Sequence, residues 1–170
     1  FKIVNRYKGI FSASFCEYLQ DVYHQLPEGN SAEFGWNVKT LYGEAEILNY
    51  KRQIKESSTD TEYYDKILPY IIPINLELSI EPAWIQITSY SAGSFLERHV
   101  DRTPYRTLTV SLNSTYNGGE YLLNDQAVDL DIGEGVLFDG KKVYHQVTKV
   151  TSGTRMALNI WFKKSKNSLI

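Results

Sequence analysis

The chain has 170 residues, the size of one domain. Its 18 positive and 20 negative residues leave a formal charge of −2, which disfavours a module that binds nucleic acid through phosphate contacts. One cysteine, Cys16, excludes an intramolecular disulfide framework and a cysteine-based zinc cluster, and a composition that is 42% hydrophobic excludes disorder.

The chain begins Phe1-Lys2-Ile3-Val4, with no charged head followed by an apolar run and a cleavage site. Its most apolar piece, 67–78, is interrupted by Pro69, Pro73, Asn75 and Glu77 and is too short to span a bilayer. A soluble, intracellular (cytoplasmic) protein with no membrane partner is therefore expected.

Ser12 or Ser14 can cap a helix that runs to about Leu26, with Phe15, Leu19, Val22, Tyr23 and Leu26 as its apolar stripe. Residues 34–48 are ambiguous, with Trp36, Val38 and Leu41 as buried anchors. Residues 51–60 are charged and rich in Ser and Thr, and read as an exposed loop. Thr59-Asp60-Thr61-Glu62 has the pattern of a capping box, and the helix it opens carries Tyr63, Tyr64, Ile67, Leu68 and Ile71. Pro69 predicts a kink or an early end.

From Ala83 the pattern changes to short alternating or β-branched runs between Gly, Asn and Asp turns. Strands are expected over 84–91, 107–112, 119–123, 136–138, 144–150 and 155–162, with another over 127–132. Strands this short and numerous suggest a closed or sandwiched antiparallel sheet, with the N-terminal helices on one outer face. The tail, 163–168, is polar and reads as loose.

Three histidines are present, and His24 sits on the first helix as a structural or solvated group. His99-Val100-Asp101 places an imidazole and a carboxylate on one side of an extended chain. If the strand of His145 lies alongside, two imidazoles and one carboxylate share a face and leave positions open on an octahedral ion, an arrangement that suits non-haem Fe(II). The spacing alone fits a surface His–Asp pair equally well.

Arg155 shares its strand phase with Ala157, Asn159 and Trp161, whereas Met156, Leu158, Ile160 and Phe162 form a continuous apolar face. An inward Arg is costly without an anion, and its planar fork suits a carboxylate. A dicarboxylate co-substrate would meet that need, as would pairing with Glu97, Glu120 or Asp101. Gly118-Gly119 permits positive φ or a close approach by another group. Gly133-Glu134-Gly135 lacks the spacing of a phosphate loop.

Taken in order, these pieces resemble a known family. They are Tyr90-x-x-Gly93, His99-x-Asp101, Arg106 to Asn113, Gly118-Gly119-Glu120-Tyr121, Gly135-Val136-Leu137-Phe138, Tyr144-His145-Gln146-Val147 and Gly153-x-Arg155 leading to Ile160-Trp161-Phe162. The stretch from Trp84 to Phe162 is similar to the 2-oxoglutarate- and Fe(II)-dependent dioxygenases, in particular the prolyl 4-hydroxylase-like branch.

The resemblance implies a mainly β protein with flanking N-terminal helices around a double-stranded β-helix, or jelly-roll. It implies one dioxygenase domain over 1–170, with a helical and mixed support region in 1–80 and a metal-binding β core in 83–162. His99, Asp101 and His145 would be the iron ligands and catalytic centre, and Arg155 would hold the distal carboxylate of 2-oxoglutarate. Tyr90 would line the co-substrate pocket, Ser111 or Thr109 would add a hydroxyl, and Trp161 would either wall the pocket or fill core.

The implied reaction takes Fe(II), O2 and 2-oxoglutarate, with room for ascorbate as an accessory reductant. It hydroxylates a prolyl residue of a peptide or protein and releases succinate and carbon dioxide. Two departures stand out. Several prolyl hydroxylases carry Lys where this chain has Arg155, and relatives often place a larger aromatic hydroxyl residue where this chain has Ser111.

Residues 30–62, with Phe34, Trp36, Tyr42 and Tyr50, are the expected groove or cover; their alternative place is against the barrel exterior. Arg102, Arg106, Lys141 and Lys142 flank the presumed iron end as solvated charge or as an attraction for an acidic partner. The same iron chemistry on a free amino acid, another small molecule or a nucleobase, a structural zinc site, and a catalytically silent binding jelly-roll are the rival readings.

Overall fold

The computed structural model describes residues 4–32, 34–47, 54–58, 60–102 and 104–166. The chain opens with β1 (Val4–Tyr7) and α1 (Ala13–Gln25). Ser12 caps α1, its Oγ accepting from the backbone N–H of Phe15 at 3.2 Å. The expected stripe is buried: Cys16, Leu19, Val22 and Tyr23 face inward.

Next come β2 (Asn30–Ser31), β3 (Asn37–Ile47) and β4 (Ile54–Ser58). The ambiguous stretch is thus a long strand, and part of the expected loop over 51–60 is β4, which pairs antiparallel with β3. Polar residues suit such an edge strand, and that composition is what made it read as a loop.

Helix α2 (Glu62–Leu78) continues through Pro69 and Pro73, so the early end expected at Pro69 does not occur. Each proline removes one helical donor. Both prolines lie on the exposed side, where water can serve the freed carbonyls, while Ile67, Ile71 and Ile74 anchor the opposite side in the core. At the N-terminus Asp60 Oδ1 accepts from the Glu62 N–H at 2.8 Å, and Thr61 makes no side-chain cap. Thr59 of the expected capping box lies outside the described residues.

The rest is β5 (Ile80–Tyr90), β6 (Leu96–His99), β7 (Arg106–Ser111), β8 (Tyr116–Gly118), β9 (Tyr121–Leu123), β10 (Gln126–Ala127), β11 (Gly135–Phe138), β12 (His145–Val147), β13 (Val150–Gly153) and β14 (Arg155–Lys164). The strand expected over 127–132 does not form beyond Ala127. Lys163 and Lys164, expected in a loose tail, extend β14 against Glu81 and Ile80.

An eight-stranded sheet runs β1-β11-β7-β14-β5-β3-β2, with β4 added on β3. It faces a four-stranded sheet, β10-β9-β12-β6, and a β13-β8 pair. This is the expected jelly-roll. The N-terminal segment does more than support it, because β1 and β3 are strands of the large sheet.

Strand alternation gives the large sheet two different faces. Ile85, Ile87, Leu108, Val110, Met156, Leu158, Ile160 and Phe162 pack with α1 and α2 in one core. Tyr90, Val136 and Phe138 point the other way and meet Tyr121, Leu123 and Val147 of the small sheet in a second core. No helix among the described residues is long and apolar enough to cross a membrane. Leu158 is fully buried in the helix-side core, so Leu158→Ala is expected to cost about 2–5 kcal/mol in urea unfolding.

Candidate active site

The second core becomes polar along a band of strand positions. On β7 the inward residues are Thr107, Thr109 and Ser111; on β14 they are Arg155, Ala157, Asn159 and Trp161; on β5 they are Trp84, Gln86, Thr88 and Tyr90. Their phase opposes that of the apolar face, as the sequence pattern required.

Strand β12 lies between β9 and β6, and its register sets His145 opposite His99. The two rings lie 4.2 Å apart between centroids. Asp101, two residues beyond the last residue of β6 paired to it, completes a cluster whose ligand atoms all lie within 4.8 Å of one another. Among the described residues it is the one such group.

Each ring nitrogen has a defined task. Nδ1 of His99 lies 2.7 Å from the Glu97 carbonyl, and Nδ1 of His145 lies 2.9 Å from the Val143 carbonyl. A carbonyl only accepts, so each Nδ1 carries the proton and donates it. Both Nε2 atoms then turn to one oxygen, Asp101 Oδ1, at 3.5 Å from His99 and 3.2 Å from His145. In the neutral imidazoles these are lone pairs facing a carboxylate oxygen, a repulsive arrangement unless a cation sits among them. Two imidazole nitrogens and a carboxylate oxygen, with second nitrogens held by backbone, suit Fe(II).

Burial pushes the Asp101 carboxyl up; where the Nε2 atoms of His145 and His99 carry protons, their hydrogen bonds and charge outweigh it and hold the group well below the usual carboxylate range, and with neutral rings that part falls to a cation. The other carboxylate oxygen, Oδ2, accepts from Thr107 Oγ1 at 3.1 Å, and the Asp101 N–H donates to the Gly140 carbonyl at 2.7 Å.

At the other end of the band lies Arg155, 5% exposed. Its Cζ is 5.4 Å from the ring centroids of both Tyr90 and Tyr121. Among the described residues no carboxylate forms an ion pair with it, so Glu97, Glu120 and Asp101 are not its partners. Asn113 fixes the start of its strand, accepting from the Met156 N–H at 2.9 Å and donating to the Thr154 carbonyl at 2.7 Å. Gly119 has φ +61°, and a Cβ there would lie 3.3 Å from Arg155 Cδ, so both glycine roles foreseen for this turn apply.

Burial pushes the Tyr90 and Tyr121 hydroxyls well above the usual phenol range, offset in part at Tyr90 by Arg155 and at Tyr121 by Thr109 and Arg155. Both remain protonated donors. Trp36 stacks on Tyr90 at 5.3 Å. The Thr109 hydroxyl donates to Asn159 Oδ1 at 3.0 Å and so accepts from the Tyr121 hydroxyl at 3.2 Å. Asn159 Nδ2 donates to Thr88 Oγ1 at 3.0 Å, which closes a polar belt across the floor.

The other residues singled out from sequence fall as follows. The Ser111 hydroxyl donates to the Asn113 carbonyl at 3.1 Å. Trp161 shares the face of Arg155 but stands six residues along β14, about 20 Å away at strand rise. It lies opposite Thr107, stacked on Trp84 at 5.3 Å, and so belongs to the Asp101 end. Phe34 stacks on Phe95 at 4.4 Å, Tyr42 packs on Tyr64 at the helix side, and Tyr50 is outside the described residues. Of its described members, Trp36 alone belongs to the site-side core. Arg102, Lys141 and Lys142 are exposed, while Arg106 faces Asp139 at 3.8 Å.

Tyr121, Asn159, Thr107 and Gly140 escaped the sequence reading as site residues. Strand phase marked Thr107 and Asn159 as inward; the facing sheet that supplies Tyr121 and the turn that supplies Gly140 left no such mark.

The 2OG-Fe(II) oxygenase superfamily matches residues 85–163, which span the band from β5 to β14. The chain carries a 2OG-Fe(II) oxygenase domain. Chemistry in this superfamily uses Fe(II) and 2-oxoglutarate, and the donor set at 99, 101 and 145 fits that metal. No curated protein sequence matches the chain.

Solved structures share the fold of this oxygenase over nearly its whole length. The viral collagen prolyl hydroxylase vCPH of Paramecium Bursaria Chlorella virus-1, a 2OG complex, is 16% identical with a TM-score of 0.70, covering 96% of this chain and 97% of its own. A prolyl hydroxylase from Trichoplax adhaerens, in complex with a hypoxia inducible factor peptide fragment, is 15% identical with a TM-score of 0.68, covering 94% and 83%. HygX from Streptomyces hygroscopicus, with nickel and 2-oxoglutarate bound, is 11% identical with a TM-score of 0.69, covering 96% and 84%.

Removal of the Tyr121 hydroxyl leaves Thr109 its acceptor in Asn159, so the loss stays local. Tyr121→Phe is expected to lower stability by about 1 kcal/mol, read from the urea midpoint.

Proposed function

We propose that this oxygenase hydroxylates a prolyl residue of a peptide or protein, within a single domain over 1–170 whose residues 83–162 form the metal-binding core. The observation that carries the reading is the convergence of two imidazole Nε2 atoms on one oxygen of Asp101, with a buried, carboxylate-free Arg155 on the same face of the barrel. His99, Asp101 and His145 would hold Fe(II). Arg155, with Tyr90 and Tyr121 beside it, would take the distal carboxylate of 2-oxoglutarate.

The bound iron supplies dioxygen activation coupled to the conversion of 2-oxoglutarate into succinate and carbon dioxide. The chain supplies placement. The guanidinium offers a fork of donors to a carboxylate, and the Tyr90 phenol, kept protonated by burial, can donate to the same group, while the Tyr121 proton is committed to Thr109. Asp101 contributes negative charge and a ligand atom and moves no proton. The apolar walls, Phe138 and Val136 among them, keep bulk water from the reacting centre.

The prolyl target is supported by the whole-length likeness in fold to prolyl hydroxylases, one of them a peptide complex. An intracellular, reducing location is consistent with the single free, buried thiol of Cys16.

Anaerobic loading with Fe(II), followed by turnover of 2-oxoglutarate in air against a panel of prolyl peptides, tests both levels. Succinate establishes the chemistry, and a gain of one oxygen atom on proline establishes the target. Succinate together with oxidation of a small molecule but no peptide would overturn the prolyl reading alone. Asp101→Ala is expected to abolish Fe(II) retention and turnover; full turnover at normal iron content would remove Asp101 from the site. Arg155→Met is expected to raise the KM for 2-oxoglutarate by about ten- to a hundredfold, as loss of charged hydrogen bonds worth about 1.5–3 kcal/mol requires.

A further inference from the structure

We infer that Thr107 and the bare backbone of Gly140 form a seat for the Asp101 carboxylate, and that this seat sets how tightly the site holds a divalent metal. The inference rests on the metal-site reading above.

Asp101 lies beyond the end of β6, so the ladder with β12 does not fix its side chain. Two other contacts do. Its N–H donates to the Gly140 carbonyl at 2.7 Å, which pins the backbone against the turn after β11. Its Oδ2 accepts from the Thr107 hydroxyl at 3.1 Å, and Thr107 is 2% exposed at the inward start of β7. One oxygen is thereby committed to a neutral donor. Only Oδ1 is left to face the two Nε2 atoms. A carboxylate held in this way offers one ligand atom and leaves room beside it, which a site that must also take a dicarboxylate requires.

Gly140 points to the same conclusion on separate grounds. Its φ is outside the left-handed region, so backbone freedom does not account for a glycine there. Space does. A Cβ at Gly140 would overlap Asp101 Oδ2 and come within 2.9 Å of Thr107 Oγ1. The position has to stay bare for the carboxylate to sit against the threonine.

Thr107→Val keeps the shape of the side chain and removes the donor, Thr107→Ser keeps the donor, and Gly140→Ala fills the seat. Anaerobic calorimetric titration of the full chain with Fe(II) reads the affinity, and urea unfolding of the metal-free protein reads the fold. Thr107→Val is expected to weaken Fe(II) binding about ten- to a hundredfold, the range typical of groups that orient metal ligands, with only a small fall in the unfolding midpoint. Thr107→Ser should restore most of the affinity, and a folded Gly140→Ala should lose at least as much as Thr107→Val. Wild-type affinity in Thr107→Val, or a loss matched by an equal loss of fold, overturns the seat. His145→Ala separates the two levels: if it abolishes binding while Thr107→Val does not, the seat alone fails, and if it binds Fe(II) as wild type does, the metal-site reading fails with it.

Discussion

Everything at the site depends on one strand register. By pairing with β6, β12 sets His145 across from His99, and the backbone carbonyls of Val143 and Glu97 then fix the tautomer of each ring. Since side chains alternate along a strand, a slip of one residue would turn His145 to the opposite face and leave Asp101 with one imidazole. The register is protected from both sides, because β12 also pairs with β9, placing His145 opposite Leu123 and Val147 opposite Tyr121. Tyr121, Leu123 and Val147 are all core residues, so a slip would expose apolar area as well as break the cluster.

The large sheet explains how a band of buried polar side chains survives inside so small a protein. One face is given wholly to hydrophobic packing against α1 and α2, and it includes fully buried Ile85, Ile87, Leu108, Val110, Leu158, Ile160 and Phe162. That face carries the stability. The opposite face can then hold Thr, Asn, Gln and Arg side chains, which cost free energy unless their hydrogen bonds are met. Most are met locally: Tyr121 to Thr109, Thr109 to Asn159, Asn159 to Thr88, and Gln86 to Thr40 at 3.0 Å. Arg155 is the exception. Its Cζ lies 5.4 Å from the ring centroids of Tyr90 and Tyr121, no carboxylate among the described residues forms an ion pair with it, and the proposed function gives it the anion that such a buried charge requires.

Strand phase was the most legible signal in the sequence. The alternation from Arg155 to Phe162 placed Arg155 and Asn159 inward and Leu158 in the core before any coordinates. The i, i+2 spacing of His99 and Asp101 placed them on one side. What the sequence did not carry was pairing across distance. Nothing in 51–60 distinguishes a polar edge strand from a loop, because an edge strand is itself required to be polar. Nothing near Pro69 reveals that the helix continues past it, with Ile67, Ile71 and Ile74 anchored in the core on both sides of the proline. Trp161 shows the same limit within one strand: phase gave its face correctly, but only the register of β14 on β7 shows that it stands by Thr107 and away from Arg155.

The hydroxyls near Arg155 take that argument one step further. The sequence offered Ser111 or Thr109 as donors, where relatives often have a larger aromatic hydroxyl residue in place of Ser111. In the fold the Ser111 hydroxyl is turned to the Asn113 carbonyl, and Thr109 is engaged by Tyr121 and Asn159. A second tyrosine beside the guanidinium comes instead from the facing sheet, the Tyr121 ring centroid lying 5.4 Å from Arg155 Cζ. A barrel interior is lined from two sheets, so an aromatic residue absent from one strand can be supplied by a strand of the other. The constraint is on where the ring stands relative to Arg155, and any strand that reaches that point can meet it. Position-by-position comparison with a motif sees the small residue at 111; only the paired sheets show the phenol of Tyr121 beside the same cation.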